Sequence, residues 1–240
     1  MTLVECKLCG ATRKMARSHI IPRALYGTTL IHPLGPAKII SSARKSRAKR
    51  SSMGEYDSEL LCLDCEALLS PYDDYAHTLF AKQAPDTRIE HEGAVIAYRY
   101  ESVDFSLLRL FFISLVWRMH ATRRAAFGSL DLGKYAEPFR TAILGRDSGA
   151  LPEFDVVITR FDRADMGLLG PTRLRLEGVN GYRITFPGYS LWAKIDKRPV
   201  PNPFTEVMLS TGAPLHMLAM DFRDSAEFRA MLRLVSGPPT

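Results

Sequence analysis

The chain is poor in cysteine, in tryptophan and in long apolar runs. Its 240 residues include four cysteines and two tryptophans. No apolar stretch reaches the roughly 18 residues that a membrane span takes. The best candidate, 107–116, is interrupted by Arg109 and followed by Arg118, so the expectation is a soluble protein. The first ten residues, MTLVECKLCG, lack a basic segment followed by a continuous apolar one. They do not read as a secretory signal, and a reducing, cytoplasmic setting is expected. Acid is scarce at this end: residues 1–50 hold eleven Lys and Arg against Glu5 alone, a local net of +10. The whole chain carries +6, which leaves −4 for the other 190 residues.

What is present is the composition of a folded protein. With 46% hydrophobic and 24% charged residues the chain can bury a core, and its length allows one large domain or two small ones. The four cysteines form two pairs, Cys6-Lys-Leu-Cys9 and Cys62-Leu-Asp-Cys65. In a reducing compartment that spacing favours metal over disulfides, and four thiolates suit a tetrahedral structural zinc. The 52 residues between the pairs exceed a compact zinc ribbon, so a segment must be inserted. Within it, 38–50 carries Lys38, Arg44, Lys45, Arg47, Lys49 and Arg50 and no acid. It reads either as a solvated loop or as an arm that orders on a partner.

The cysteines, the clustered cations and the scarcity of long apolar runs mark 1–92 as a small metal-held domain, which leaves 93–240 as an α+β domain of unknown role. A helix is expected over 65–82, with Pro71 ending or kinking its first part. A strand follows over 94–100, a long apolar helix over 104–127 with Asp104 near its start, and another helix over 134–144. Residues 154–161, 172–177, 182–186, 191–195 and 205–209 alternate as strands of an antiparallel sheet, with 178–181 as a hairpin turn. A helix capped by Ser225 closes the chain over 225–235. The fold class is thus α+β.

Inside the long gap stands Arg17-Ser18-His19-Ile20-Ile21-Pro22, and just before the second pair stands Asp57-Ser58-Glu59-Leu60-Leu61-Cys62. With the two CxxC pairs, these segments resemble the zinc-bearing branch of the HNH endonucleases over about residues 1–82. The resemblance implies a treble-clef, or ββα-metal, finger on a structural zinc and metal-dependent hydrolysis of phosphodiester bonds in DNA. It gives His19 the role of general base toward water and Asp57 that of the residue orienting the histidine loop. Catalytic-ion ligands are expected at Ser18 and Ser70, where hydroxyls stand instead of carboxylate or imidazole. Glu66, Ser70, Asp73 and His77 recur at spacings of four, three and four, so one helical face could hold Mg²⁺ or another divalent ion, or simply face solvent. Arg13, Lys14, Arg17 and Arg23 flank the histidine and could meet phosphates. The alternative is a catalytically inactive zinc finger that binds nucleic acid or a protein partner; a homo-oligomer also fits. Such proteins occur in phage and bacterial defence settings.

Overall fold

The computed structural model describes residues 4–26, 38–40, 49–50, 54–162, 168–200, 202–209, 214–229 and 232, with the backbone alone at 38–40, 49–50 and 168–169. The architecture is α+β. A seven-stranded sheet combines β7 (Thr87–His91), β8 (Ala94–Tyr100), β9 (Phe154–Phe161), β11 (Thr172–Leu176), β12 (Val179–Phe186), β13 (Tyr189–Ile195) and β14 (Leu215–Met220). Their order is β11-β12-β13-β9-β14-β8-β7. Every neighbouring pair is antiparallel except β9 and β14, which run parallel. The expected purely antiparallel sheet is corrected here: the chain leaves β9, builds the β11–β13 meander, and returns to the other side of β9 in the same direction.

Side chains alternate across this sheet with the two-residue period of extended backbone. From β9, Phe154, Val156 and Ile158 enter the main core, while Val157 points to the opposite face with Trp192, Val179 and Met208. The main core is completed by three helices: α1 (Leu63–His77), α2 (Phe105–Ala121) and α3 (Ala136–Gly145). Helix α2 is buried without interruption from Leu110 to Met119, because it lies between the sheet, α1 and α3. Its Arg109 is accommodated by donating to the carbonyls of Ser148, Leu151 and Phe154 at 2.6–2.7 Å, which ties the loop after α3 to the helix. The Asp104 side chain caps α2 by accepting from Leu107 N at 2.9 Å. No helix among the described residues is long and apolar enough to cross a membrane.

Several expectations shift. Helix α1 runs through Pro71, and the backbone continues as a single wide turn over Thr78–Lys82. Pro71 and Ala67 both lie on the exposed side, where water can solvate the Ala67 carbonyl that Pro71 leaves without a donor. The hairpin turn sits at Glu177 and Gly178, with φ of 44° and 89°, and not at 178–181. Gly181 belongs to β12, where an added Cβ would come within 2.5 Å of Trp192 Nε1. The strand expected over 205–209 is a 3₁₀ turn at Phe204–Val207, with only Met208 bridging Val157. The place beside β9 is taken by β14. The long helix ends at Ala121 and not at 127. A helix begins at Ala226, with Ser225 Oγ accepting from Phe228 N at 3.0 Å, and its end lies outside the described residues.

The first ninety residues are not a free-standing lobe. One buried cluster runs from Cys6 to Met217, and the β7–β8 hairpin turns at Glu92-Gly93, across the 92/93 line. Phe80, just past α1, packs against Phe111 and Phe112 of α2, Phe186 of β12 and Tyr189 of β13, with centroids 4.8–6.3 Å apart. Tyr189 Oη also donates to the Phe80 carbonyl at 2.8 Å.

Candidate functional site

The four cysteines meet through a hairpin and a helix start. Strands β1 (Val4–Glu5) and β2 (Thr12–Arg13) pair antiparallel, and the chain between them bends tightly. Cys6 N donates to the Ala11 carbonyl at 3.0 Å and Gly10 N to the Cys6 carbonyl at 2.8 Å. Gly10 has φ of 74°, a left-handed conformation that glycine adopts at little cost. Cys62 stands at the extended residue before α1 and Cys65 lies in its first turn. Three backbone bonds fasten hairpin to helix: Lys7 N to Leu60 O, Ala16 N to Leu61 O and Leu63 N to Lys14 O, at 2.9–3.1 Å.

All four sulfurs lie within 4.8 Å of one another, and Cys9 Sγ is 3.8 Å from Cys62 Sγ. A tetrahedral zinc with arms of about 2.3 Å requires sulfurs about 3.8 Å apart. The donor set therefore fits a metal ion such as zinc. The thiols are unpaired by disulfides. Burial would push the Cys6 thiol up, but N–H groups of Cys9, Cys62 and Leu8 directed at it bring it below its ordinary value. One of them is the Cys62 N–H, 3.3 Å from Cys6 Sγ. Burial raises Cys62 and Cys65, and neighbouring thiols raise Cys65 further. Four thiolates crowded together need a cation.

Beside this cluster a second hairpin pairs β3 (Ser18–His19) with β6 (Tyr56–Asp57), placing Ser18 opposite Asp57 and His19 opposite Tyr56. It is anchored by Ile20, Ile21, Leu25 and Tyr26, all buried. Gly54 is required here, since a Cβ would lie 2.5 Å from the Tyr26 ring. His19 is half-buried, its ring 6.2 Å from that of Tyr56. Arg17 stacks over the Tyr56 ring at 4.2 Å and Arg124 approaches it at 5.6 Å. Asp57 is buried; it accepts from Glu59 N at 3.0 Å and from Thr122 Oγ1 at 2.6 Å. Burial pushes its carboxyl up, yet the Thr122 hydroxyl, the Glu59 and Arg123 N–H groups and the Arg124 charge together hold it below the usual carboxylate range.

The helical face expected to hold a second metal is occupied differently. Asp73 receives both ends of the Arg118 guanidinium, at 2.7 and 3.0 Å. Arg118 is 1% exposed and also donates to the His19 carbonyl at 3.2 Å. Burial raises the Asp73 carboxyl, while Arg118 and, more weakly, His19 pull it back down. A cation at Asp73 would have to displace this guanidinium. Ser70 Oγ donates to the Glu66 carbonyl on its own helix at 3.1 Å, and His77 is half-buried one helical turn beyond Asp73. Ser18 is fully buried, and its Oγ and Glu66 Oε2 have no hydrogen-bond partner among the described residues. Among the described residues the four cysteines are the one group of three or more metal-ligating side chains that converge.

Of the basic residues, Arg13 is ion-paired with Asp64, and Lys14, Arg17 and Arg23 are exposed. Lys38, Lys49 and Arg50 lie in two short paired strands, β4 (Lys38–Ile40) and β5 (Lys49–Arg50), the first also paired with β10 (Leu168–Leu169). Arg44, Lys45 and Arg47 lie outside the described residues. Sequence reasoning missed Arg118, Thr122 and Arg124. The available signal was Arg118 itself: a cation in the middle of an apolar helix demands a buried partner. Comparison with family models, with curated proteins and with solved structures finds no match.

Proposed function

We propose that residues 4–82 form a treble-clef finger of HNH type folded on a structural zinc held by Cys6, Cys9, Cys62 and Cys65, and that the chain is directed to nucleic acid. The observation that carries this reading is the β3–β6 strand pair, bearing His19 and Asp57, tied to the cysteine-bearing start of α1 through the Met15–Cys62 bridge and the Ala16 N to Leu61 O bond, with Arg17 and Arg124 around Tyr56 at its rim. When bound, the zinc neutralises the thiolates and fixes the hairpin against α1; it takes no part in chemistry, since all its ligand positions are protein sulfurs.

Recognition is better supported than hydrolysis. For hydrolysis His19 would accept a proton from water, the role of a general base. Its partial exposure favours this second reading, while Asp57, opposite Ser18 in the strand pair, is engaged by Thr122 and Glu59. Against it stands the engagement of Asp73 by Arg118, which removes the best carboxylate from a Mg²⁺ site. Ser18, Glu66 and His77 do not make one with it, and no step is assigned to a catalytic ion.

The deciding experiment incubates zinc-loaded protein, freed of other metals, with plasmid and single-stranded DNA plus Mg²⁺, Mn²⁺ or Ni²⁺, beside a binding titration across salt. Salt-sensitive binding without cleavage is expected. Cleavage that disappears in His19→Ala would establish the nuclease reading. Neither binding nor cleavage would redirect attention to a protein partner.

A further inference from the structure

A second basic surface lies around the end of α2. Here an open cleft of about 530 Å³ is bounded by Lys7, Trp117, His120, Arg123, Lys134 and Arg140. Lys7 comes from the loop between Cys6 and Cys9, Arg123 from the segment after α2, and Lys134 and Arg140 from the turn before α3 and from α3 itself. The walls are held in place. Arg140 Nε donates to the Leu8 carbonyl at 2.6 Å, joining α3 to the cysteine hairpin, and Leu132 N donates to His120 Nδ1 at 3.3 Å.

Cations outnumber acids on this surface, and the exposed Asp131 stands at its edge, 3.7 Å from His120. The single acid lining it, Glu137, is paired with Arg140 at 2.7 Å. No described acid pairs with Lys7, Arg123 or Lys134, and all three are exposed. Trp117 is 3% exposed, so it offers no face on which a base could stack. Such a cleft suits a chain of negative charges and has no exposed aromatic face on which bases could stack. It is also continuous with the rim described above: Arg123 is the sequence neighbour of Arg124, which leans over Tyr56 beside His19.

We propose that the cleft of Lys7, Arg123 and Lys134 binds the phosphodiester backbone of a nucleic acid that crosses the α2 terminus from the His19 hairpin. The proposal rests on the nucleic-acid reading above and extends the interface to residues outside the His19 hairpin. Its contacts are to phosphate, so they add affinity without sequence preference and fall away with salt.

The test uses the full, zinc-loaded chain and fluorescent DNA of about 30 nucleotides, duplex and single-stranded, titrated over a range of NaCl concentrations. Three proteins are compared: wild type, the triple variant Lys7→Ala/Arg123→Ala/Lys134→Ala, and a charge-matched control, Arg88→Ala/Arg173→Ala/Arg229→Ala, whose exposed positions lie on other parts of the surface. Thermal melts and zinc content establish that all three are folded. The cleft variant should lose roughly a hundredfold in duplex affinity near 0.1 M salt and between about two and three from its log–log salt slope. The control should keep both. If the cleft variant matches wild type, or the control loses as much, the cleft is not the phosphate track, although the nucleic-acid reading survives. If wild type binds neither DNA form, both readings fall. Binding of polyglutamate in that case, lost in the cleft variant, would assign the cleft to an acidic protein.

Discussion

The strands around the candidate site are two residues long in β1, β2, β3 and β6, whereas β9 and β12 have eight residues and β13 has seven. Two-residue pairings contribute little order on their own. The sheet is fixed by its ladders and by alternating side chains on both faces. The cysteine and histidine hairpins are fixed by what they touch: a cluster of four sulfurs, the start of α1, and the buried end of α2. The comparison teaches where a metal matters in one continuous core. A metal held by the four sulfurs would substitute for ladder length where the strand pairings are only two residues long.

The largest break between the two regions should come from metal removal. Structural zinc in small fingers carries roughly 10–16 kcal/mol of binding free energy. Stripping the metal, or Cys65→Ser, should abolish amide-exchange protection in 4–20 and 54–66 while β9, β12 and β13 retain theirs. Equal protection in both regions after verified metal loss would refute the difference. Next in size is Phe80→Ala, which removes the ring joining α1 to α2 and the sheet. A buried aromatic truncation costs about 3–5 kcal/mol, and here the denaturation of the two regions should also separate into distinct transitions. A single unchanged transition would show that Phe80 does not couple them.

Arg118→Ala leaves the half-buried Asp73 without its partner and the His19 carbonyl without the Arg118 donor. Breaking a buried pair costs about 3–5 kcal/mol, and a double-mutant cycle with Asp73→Asn should show strong coupling. Additivity would mean that the pair is not energetically linked. A smaller effect, about 1 kcal/mol, is expected for Asp104→Ala, which removes the α2 cap, measured as a lower midpoint in urea.

The smallest effect is that of pH at Asp57. Its carboxyl is lower in the folded state than in the unfolded chain. The stability it contributes is therefore fully present above the ordinary carboxylate range and is lost as pH falls through the folded value. Melts of wild type and Asp57→Asn between neutral pH and about pH 3 should converge on acidification. Parallel curves would remove Asp57 from the acid response.

Local spacing made much of this legible. Two CxxC pairs announced a four-sulfur cluster, and Asp104 and Ser225 announced helix starts. The His19 and Asp57 segments stood out by their distance from the cysteines. What the sequence hid depends on long-range packing. Asp73 meets Arg118 across 45 positions and Asp57 meets Thr122 across 65, and neither pairing has a local signature. Asp73 thus looked like a metal ligand on a polar helix face. Pro71 looked like a helix break because its exposure depends on how α1 docks. The place of β14 beside β9 was hidden by its composition: Leu215–Met220 holds one polar residue, His216, and so lacks the alternation that marks a strand.

The proposal that the four-cysteine centre organises a nucleic-acid-binding hairpin is tested most directly by DNA binding of one preparation before and after zinc removal. The zinc-loaded chain should contain one zinc per chain and bind with a strongly salt-dependent affinity. The stripped chain should lose that affinity and regain it on adding zinc back. A chain that binds DNA equally well with and without zinc would contradict the account.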